Sequence, residues 1–365
     1  MPVEKRPKLT YFIGIDISRN ELDFAIMQGN SLLFHREIEN TEAAVKSLID
    51  EFKLLPKFRL RNSVFCMENT GIYGNHLIKY LKKIKANIVV ENALRIKNSL
   101  GIIRGKFDKI DAIRIAHYSY INRETIKFLQ PKRLIIEQLQ QLSTLRNRLK
   151  DLTQVLNTPI NEGQFFLKKS LTDQNSRLCK ASITAVNHDL TRVNAAIAEL
   201  IKEDNEVSHL KKIITSVPSI GDITAIQIII STNEFKDVSN ARQFACYAGI
   251  APFKNESGTV TRKARVSKLG NKKMKALLHL CALSAVRSDG DLKTYYQRKT
   301  KIEGKPAMSV LNAVRNKLIL RVFSCVNGNR LYSKEFAGVS DQTTVHAAAI
   351  DAPGIYDLSG HPESS

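Results

Sequence analysis

The sequence predicts an α/β domain followed by a mostly helical second half, and three observations carry that prediction. Short apolar runs rich in Ile, Phe and Val alternate with helical stretches up to about residue 125. From Pro131 onward, Leu and Ile recur at alternating three- and four-residue spacing. A third region, from about residue 211 to 330, is basic and again mostly helical. The 365 residues allow two or three domains, each able to bury a core. A hydrophobic content of 43% excludes a wholly disordered chain. No apolar run approaches the roughly 18 residues of a membrane span, so no membrane partner is expected. The opening MPVEKRPKLT lacks the apolar stretch of a signal peptide, so a cytoplasmic location is expected. Cys66, Cys179, Cys246, Cys281 and Cys325 form no C-x-x-C pair, which argues against a disulfide framework and a zinc site.

Taken in order, residues 10–28 (TYFIGIDISRNELDFAIMQ) read as two strands split by a polar break at Ser18–Glu21. Gly29-Asn30 is a hairpin signal before a third strand, SLLFHREIE at 31–39. Thr41 caps a helix reaching about Lys53, and an apolar strand, SVFCME, follows at 63–68. A helix from about Ile72 to Lys85, the strand NIVVE at 87–91 and two further helical stretches ending near Tyr120 complete the domain, set at 10–125. The order β-β-β-α-β-α-β-α is that of a ribonuclease-H-like (RuvC-like) domain, a mixed sheet between helices.

In the next segment, 131–208, Ile135, Leu142, Leu145, Leu149, Leu152 and Leu156 share one helical seam. A break is expected at Pro159–Gly163, after which Ile183, Val186, Leu190, Val193, Ile197 and Leu200 resume the pattern. The pair reads as a coiled-coil helical hairpin for dimerisation or spacing. The third segment, 209–328, opens with SVPSIGDITAIQIII at 216–230. Its Pro-x-x-Gly followed by an apolar helix resembles a helix–hairpin–helix, whose amides meet phosphates, although Ser219 stands where the first glycine is usual. An acidic tail, 331–365, reads as loosely ordered.

The chain holds 56 Lys and Arg against 35 Asp and Glu, a formal net charge of +21. The tail carries one basic and five acidic residues, which leaves about +25 on residues 1–330. Lys79–Lys106 and Lys254–Lys275 each hold eight basic residues against one acidic. Two such clusters in separate segments point to a polyanion, nucleic acid first. With no Trp and scattered Tyr and Phe, no base-stacking motif of an RNA-recognition sheet is present.

Four acids point to the chemistry. Asp16 lies inside the apolar strand GIDIS, where a carboxylate is expensive unless it binds something. Glu68 ends SVFCME, and Asp108 and Asp111 open the helical stretch KFDKIDAIRIAHYS on one face. In a ribonuclease-H-like sheet the first and fourth strands are central neighbours and the last helix packs across their ends, so the four acids converge. Convergent carboxylates need cations, and Mg2+ (or Mn2+) suits all-oxygen ligands with positions left for phosphate and water. Two such ions about 4 Å apart activate a nucleophile and stabilise a leaving oxygen in phosphoryl displacement. Each acid also has an ordinary explanation alone, Asp108 and Asp111 as helix-start residues, but Asp16 is harder to dismiss and the joint pattern outweighs them.

GIDIS at 14–18, MENTGIYG at 67–74 and DKIDA at 108–112 resemble the D-E-D-D motifs of Piv-invertase-type transposases, the insertion-sequence 110 family of RNA-guided recombinases. SVPSIGDITA and FACYAGIAPFKNESGTVTRKARVSKLGNKKMKALLHLCALSA (244–285) resemble that family's C-terminal domain, and the likeness spans about residues 11–325. The resemblance implies that Asp16, Glu68, Asp108 and Asp111 hold Mg2+ and that a serine is the nucleophile. By motif it is Ser257, which would form a covalent phosphoserine link with DNA; Ser267 before Lys268 is the competitor. From the residues alone Ser257-Gly258 is an ordinary turn. The resemblance further implies target and donor DNA, a bridge RNA pairing with both, a homodimer assembling to a tetramer on DNA, and association with the nucleoid. Arg262, Lys263, Arg265, Lys268, Lys272 and Lys273 are the expected phosphate contacts beside the serine. Lys82, Lys83, Lys85, Lys97, Arg104 and Lys106 border the acids and are expected to meet guide RNA or DNA.

Three rival readings share parts of this pattern. A metal-dependent junction-resolving nuclease uses the same acids with water and leaves Ser257 idle. An actin-like or sugar-kinase ATPase also suits Gly14-Ile15-Asp16, but needs a second phosphate loop where this chain has heptads. A non-catalytic nucleic-acid-binding protein needs none of the acids.

Overall fold

The computed structural model describes residues 8–69, 71–99, 108–257, 260–267 and 269–334, and the side chains of 108–109, 254–257 and 260–264 lie outside that description. The chain divides into two compact units, residues 1–131 and 132–365.

The first unit is built on a five-stranded sheet in the order β3-β2-β1-β4-β5. β1 (Tyr11–Ile17), β2 (Glu21–Gln28) and β3 (Ser31–Glu39) form an antiparallel meander, and β4 (Ser63–Glu68) and β5 (Asn87–Glu91) run parallel to β1. The meander's first turn is the polar break and its second is Gly29-Asn30, with Gly29 at φ +58°. Alternation along β1 sends Tyr11, Ile13, Ile15 and Ile17 to one core and Phe12 to the other. The first core is closed by α1 (Glu42–Phe52) and α2 (Asn75–Lys83) through residues including Val45, Ile49, Phe52, Leu77 and Leu81. Thr41 caps α1 by accepting from the Ala44 amide, and a 3-10 turn at Gly71–Gly74 takes the place of the first helical turn expected at Ile72. After α3 (Ala93–Ser99), α4 (Asp108–Ile121) closes the opposite core with Ala112, Ile115, Ala116 and Tyr118. The strand order and the parallel β1–β4–β5 run are those expected of the ribonuclease-H-like arrangement.

The second unit begins with α5 (Leu134–Phe166) and α6 (Lys169–Glu203), two long helices that pack together. The expected break at Pro159–Gly163 is absent: α5 continues through Pro159, and the turn falls at Leu167-Lys168. Gly163 is buried, and a side chain there would meet Leu167 and Thr172 of the turn and of α6. One core joins Ile136 and Leu139 of α5 and Val193, Ile197 and Ile201 of α6 to the helices that follow. Further along the pair the seam thins: Leu145, Leu152 and Val155 are exposed.

α7 (Asn205–Ser216), α8 (Asp222–Thr232) and α9 (Ala241–Tyr247) lead into an antiparallel hairpin of β6 (Pro252–Ser257) and β7 (Val260–Val266). α10 (Lys272–Arg287), α11 (Asp291–Gln297) and α12 (Ala307–Asn327) follow, with buried faces including Leu278, Ala282, Val314, Leu318 and Val322. In the Pro-x-x-Gly turn between α7 and α8, Ser219 sits at φ +71°, the conformation a glycine supplies more cheaply. Among the described residues no helix is long and apolar enough to cross a membrane.

Candidate catalytic site

The face of the sheet under α4, together with α4 itself, carries the backbone positions of three of the four predicted acids, Asp16, Glu68 and Asp111. Gly14 makes the close approach: a Cβ there would lie 2.1 Å from the Ala112 carbonyl oxygen and 2.2 Å from the Ala116 amide nitrogen. Only glycine on the strand, opposite two buried alanines, lets α4 lie this close to β1. Asp16 is two residues on, on the same face, and Asp111 immediately precedes Ala112. Glu68, at the end of the neighbouring parallel strand, completes the group. Burial, followed by the like charges of Asp16 and Asp111, raises the Glu68 carboxyl above its usual range, so the three acids share one electrostatic environment. Asp16 accepts from the Ile17 amide at 3.0 Å, and Asp111 is paired with Arg114 at 2.7 Å. Asp108 opens α4 one turn before Asp111, and its side chain lies outside the described residues.

Two flanking acids escaped the sequence reading. Asp23 stands opposite Asp16 on β2, and Glu91 beside Glu68 on β5, so a row of carboxylates crosses four strands. The outer two are already partnered. Asp23 meets His35 Nε2 at 2.8 Å, with both side chains largely buried. Glu91 accepts from the Tyr118 hydroxyl at 2.9 Å and pairs with Arg95 at 3.2 Å. Of the inner acids, Asp16 acts together with Asp111 on the Glu68 carboxyl. Among the described residues no three Asp, Glu, His or Cys are close enough to form a ready-made metal site. The donor set fits a hard cation all the same: mutually repelling carboxylates, one with a raised pKa, gain most from a divalent ion and its oxygen preference.

The second predicted group lies in the other unit. Ser257 is the last residue of β6, paired with Val260 across the hairpin tip, rather than a turn residue; Gly258 lies outside the described residues, as does the Ser257 side chain. Gly249 and Gly270 clamp the hairpin base, since a Cβ on Gly270 would lie 2.2 Å from Gly249 Cα. Asn271 adds to the clamp: its amide donates to the Tyr247 carbonyl at 2.7 Å and its side chain caps α10. The rival Ser267 accepts from the Leu269 amide at 3.1 Å, a local turn bond.

Of the predicted nucleic-acid contacts, Lys82 and Lys83 close α2, Lys85 follows it and Lys97 lies on α3, all exposed. Arg265 on β7 and Lys272 and Lys273 in the first turn of α10 are exposed too. Arg262 and Lys263 have backbone in β7 but side chains outside the description; Arg104, Lys106 and Lys268 lie outside the described residues.

Two family models match the chain: a transposase model of the D-E-D-D IS110 type over residues 13–161, and the IS116/IS110/IS902 transposase family over 211–297. The chain belongs to the IS110 transposase family. The first match encloses Asp16, Glu68, Asp108 and Asp111, and the second encloses the β6–β7 hairpin and its basic flanks. Among relatives, the pilin gene-inverting protein of Moraxella bovis is 24% identical over 330 residues, 88% of this chain and 98% of that protein. A 43.6 kDa insertion element IS110 protein of Streptomyces coelicolor is 28% identical over 160 residues, 44% of this chain and 38% of its own. Among solved structures, T. thermophilus RuvC in complex with a Holliday junction substrate matches 33% of this chain and 99% of that chain at 13% identity, with a TM-score of 0.26. As an IS110-family member this chain is a transposase.

Proposed function

We propose that this transposase cuts and rejoins DNA strands through a covalent phosphoserine link, using Asp16, Glu68, Asp108 and Asp111 to hold Mg2+ (or Mn2+) and Ser257 as nucleophile. The convergence of like charge on Glu68 from a neighbouring strand and from α4 carries the proposal. A divalent ion supplies Lewis-acid stabilisation of phosphate charge when bound. The chain's own residues do the rest. Gly14 seats α4 so that Asp111 faces Asp16 and Glu68, while His35 and Tyr118 bind the flanking acids Asp23 and Glu91. Ser257 Oγ forms a bond to phosphorus as one P–O bond of the strand breaks, and the serine proton is taken up by a base. Rejoining reverses the exchange: a DNA hydroxyl attacks the phosphoserine and returns the proton to Ser257, conserving the ester bond.

Residues 10–125 form the catalytic domain in this reading, 131–208 a coiled-coil arm and 209–328 the serine-bearing domain, with 331–365 as an acidic tail. The exposed lysines of α2, α3 and α10 support a nucleic-acid partner; the family resemblance supplies target and donor DNA, a bridge RNA as guide and a dimer assembling to a tetramer on DNA. The test is strand cutting and joining on DNA carrying the element's ends, with and without Mg2+. Asp16→Asn, Glu68→Gln and Ser257→Ala are each expected to abolish both steps. Metal-dependent cutting retained by Ser257→Ala establishes the junction-nuclease alternative instead. DNA transactions indifferent to Asp16 establish a non-catalytic binding role.

A further inference from the structure

Arg315 on α12 is the most unusual charge among the described residues. It is 4% exposed, and no described carboxylate pairs with it. Its Nη2 donates to His279 Nδ1 at 2.7 Å, its Nη1 donates to Asn312 Oδ1 at 3.3 Å, and its Nε–H is buried with no partner. The same chain compensates another arginine fully: Arg133 is bound by Asp204, Glu206 and Glu234. A buried guanidinium held only by neutral acceptors is unstable unless an anion completes it.

The partner ring fixes where that anion is felt. Arginine only donates, so His279 Nδ1 must carry the lone pair, and the neutral ring's proton sits on Nε2. Burial and the charge of Arg315 lower the pKa of His279, which keeps the ring in that form. His279 is partly exposed, so its outward Nε2–H can meet a ligand while Arg315 stays buried behind it. Lys275, one turn earlier on α10, and exposed Lys272, a further turn back, continue the same stripe. The group also holds the hairpin base: Asn312 Nδ2 donates to the Ile250 carbonyl at 2.8 Å, two residues before β6.

We propose that His279 and Arg315 form a phosphate subsite for the nucleic-acid backbone at the base of the β6–β7 hairpin. His279 Nε2–H donates to a non-bridging phosphate oxygen, and Arg315 provides the countercharge. The assignment rests on the nucleic-acid reading above and adds to it a binding pair outside the acids, the serine and the surface lysines.

The test uses the full-length chain and a random-sequence DNA duplex, with affinity measured across a salt series. His279→Asn keeps an acceptor for Arg315 but lacks the outward N–H; it is expected to melt like the wild type and bind about tenfold more weakly. Arg315→Met is expected to lower the slope of log affinity against log salt by roughly 0.9, one phosphate contact. A structural role alone shifts melting and leaves that slope unchanged, so unchanged affinity and slope overturn the subsite. If the variants fold poorly, the wild-type ring decides. Its nitrogen NMR shifts should report the Nε2–H form and move when DNA is added, and an unmoved ring overturns the proposal. A wild-type chain that binds no DNA instead contradicts the broader nucleic-acid reading.

Discussion

Gly14 and Glu68 show how single residues set the site. Gly14→Ala places a methyl group on the backbone of α4 at distances no side chain tolerates, so the helix must move. The expected loss is at least about 1–3 kcal/mol by chemical denaturation, the usual range for overpacking, together with loss of DNA cutting. Glu68→Gln should do the opposite for stability, because it removes a carboxylate whose charge Asp16 and Asp111 oppose. Its melting temperature without metal should exceed that of the wild type, whereas the rise on adding Mg2+ should shrink or vanish. A wild-type chain that gains nothing from Mg2+ contradicts the metal assignment. Asp16 and Glu68 were legible in the sequence because each interrupts or ends an apolar strand, and Asp111 because it opens a helix. Asp23 with His35 and Glu91 with Tyr118 were not, since their roles depend on the register between strands, which no single segment encodes.

The junction of α5, the α6–α7 boundary and the end of α8 is the element-scale counterpart. Arg133, just before α5, donates two bonds at 2.9 Å to Asp204 and others to Glu234, while Lys236 pairs with Glu234 at 2.9 Å. Asn233, Glu234 and Phe235 all have positive φ, so this ion network anchors a strained segment. Arg133→Met leaves Glu234 buried with one cation fewer and is expected to cost about 3–5 kcal/mol by denaturant titration. The hydrogen bonds from Arg133 hold Asp204 below its usual range. Burial alone would raise Glu234, but the bonds from Arg133 and Lys236 outweigh it and lower the carboxyl. Both therefore add stability that is complete above the ordinary carboxylate range and lost as pH falls through their lowered values. The acid limb of a stability–pH curve should flatten in Arg133→Met. Helix periodicity located α5 and α6 but misplaced their turn: α5 runs past Pro159 to Phe166, and Gly163 packs closely beside Leu167 and Thr172. The residues alone likewise suggested a turn at Ser257-Gly258, whereas pairing with β7 extends β6 to Ser257.

At the scale of the whole chain, a net charge of +21 favours attraction of a polyanion. In the proposed mechanism the acids and the serine turn that charge to strand exchange, yet they belong to different units of the chain. Whether both act on one DNA strand is decided by trapping a covalent protein–DNA adduct in Mg2+ and sequencing the attached peptide. A single phosphodiester link at Ser257 that disappears in Asp16→Asn is the expected result. Attachment at Ser267, or DNA cut in Mg2+ with no adduct at any stage, contradicts it.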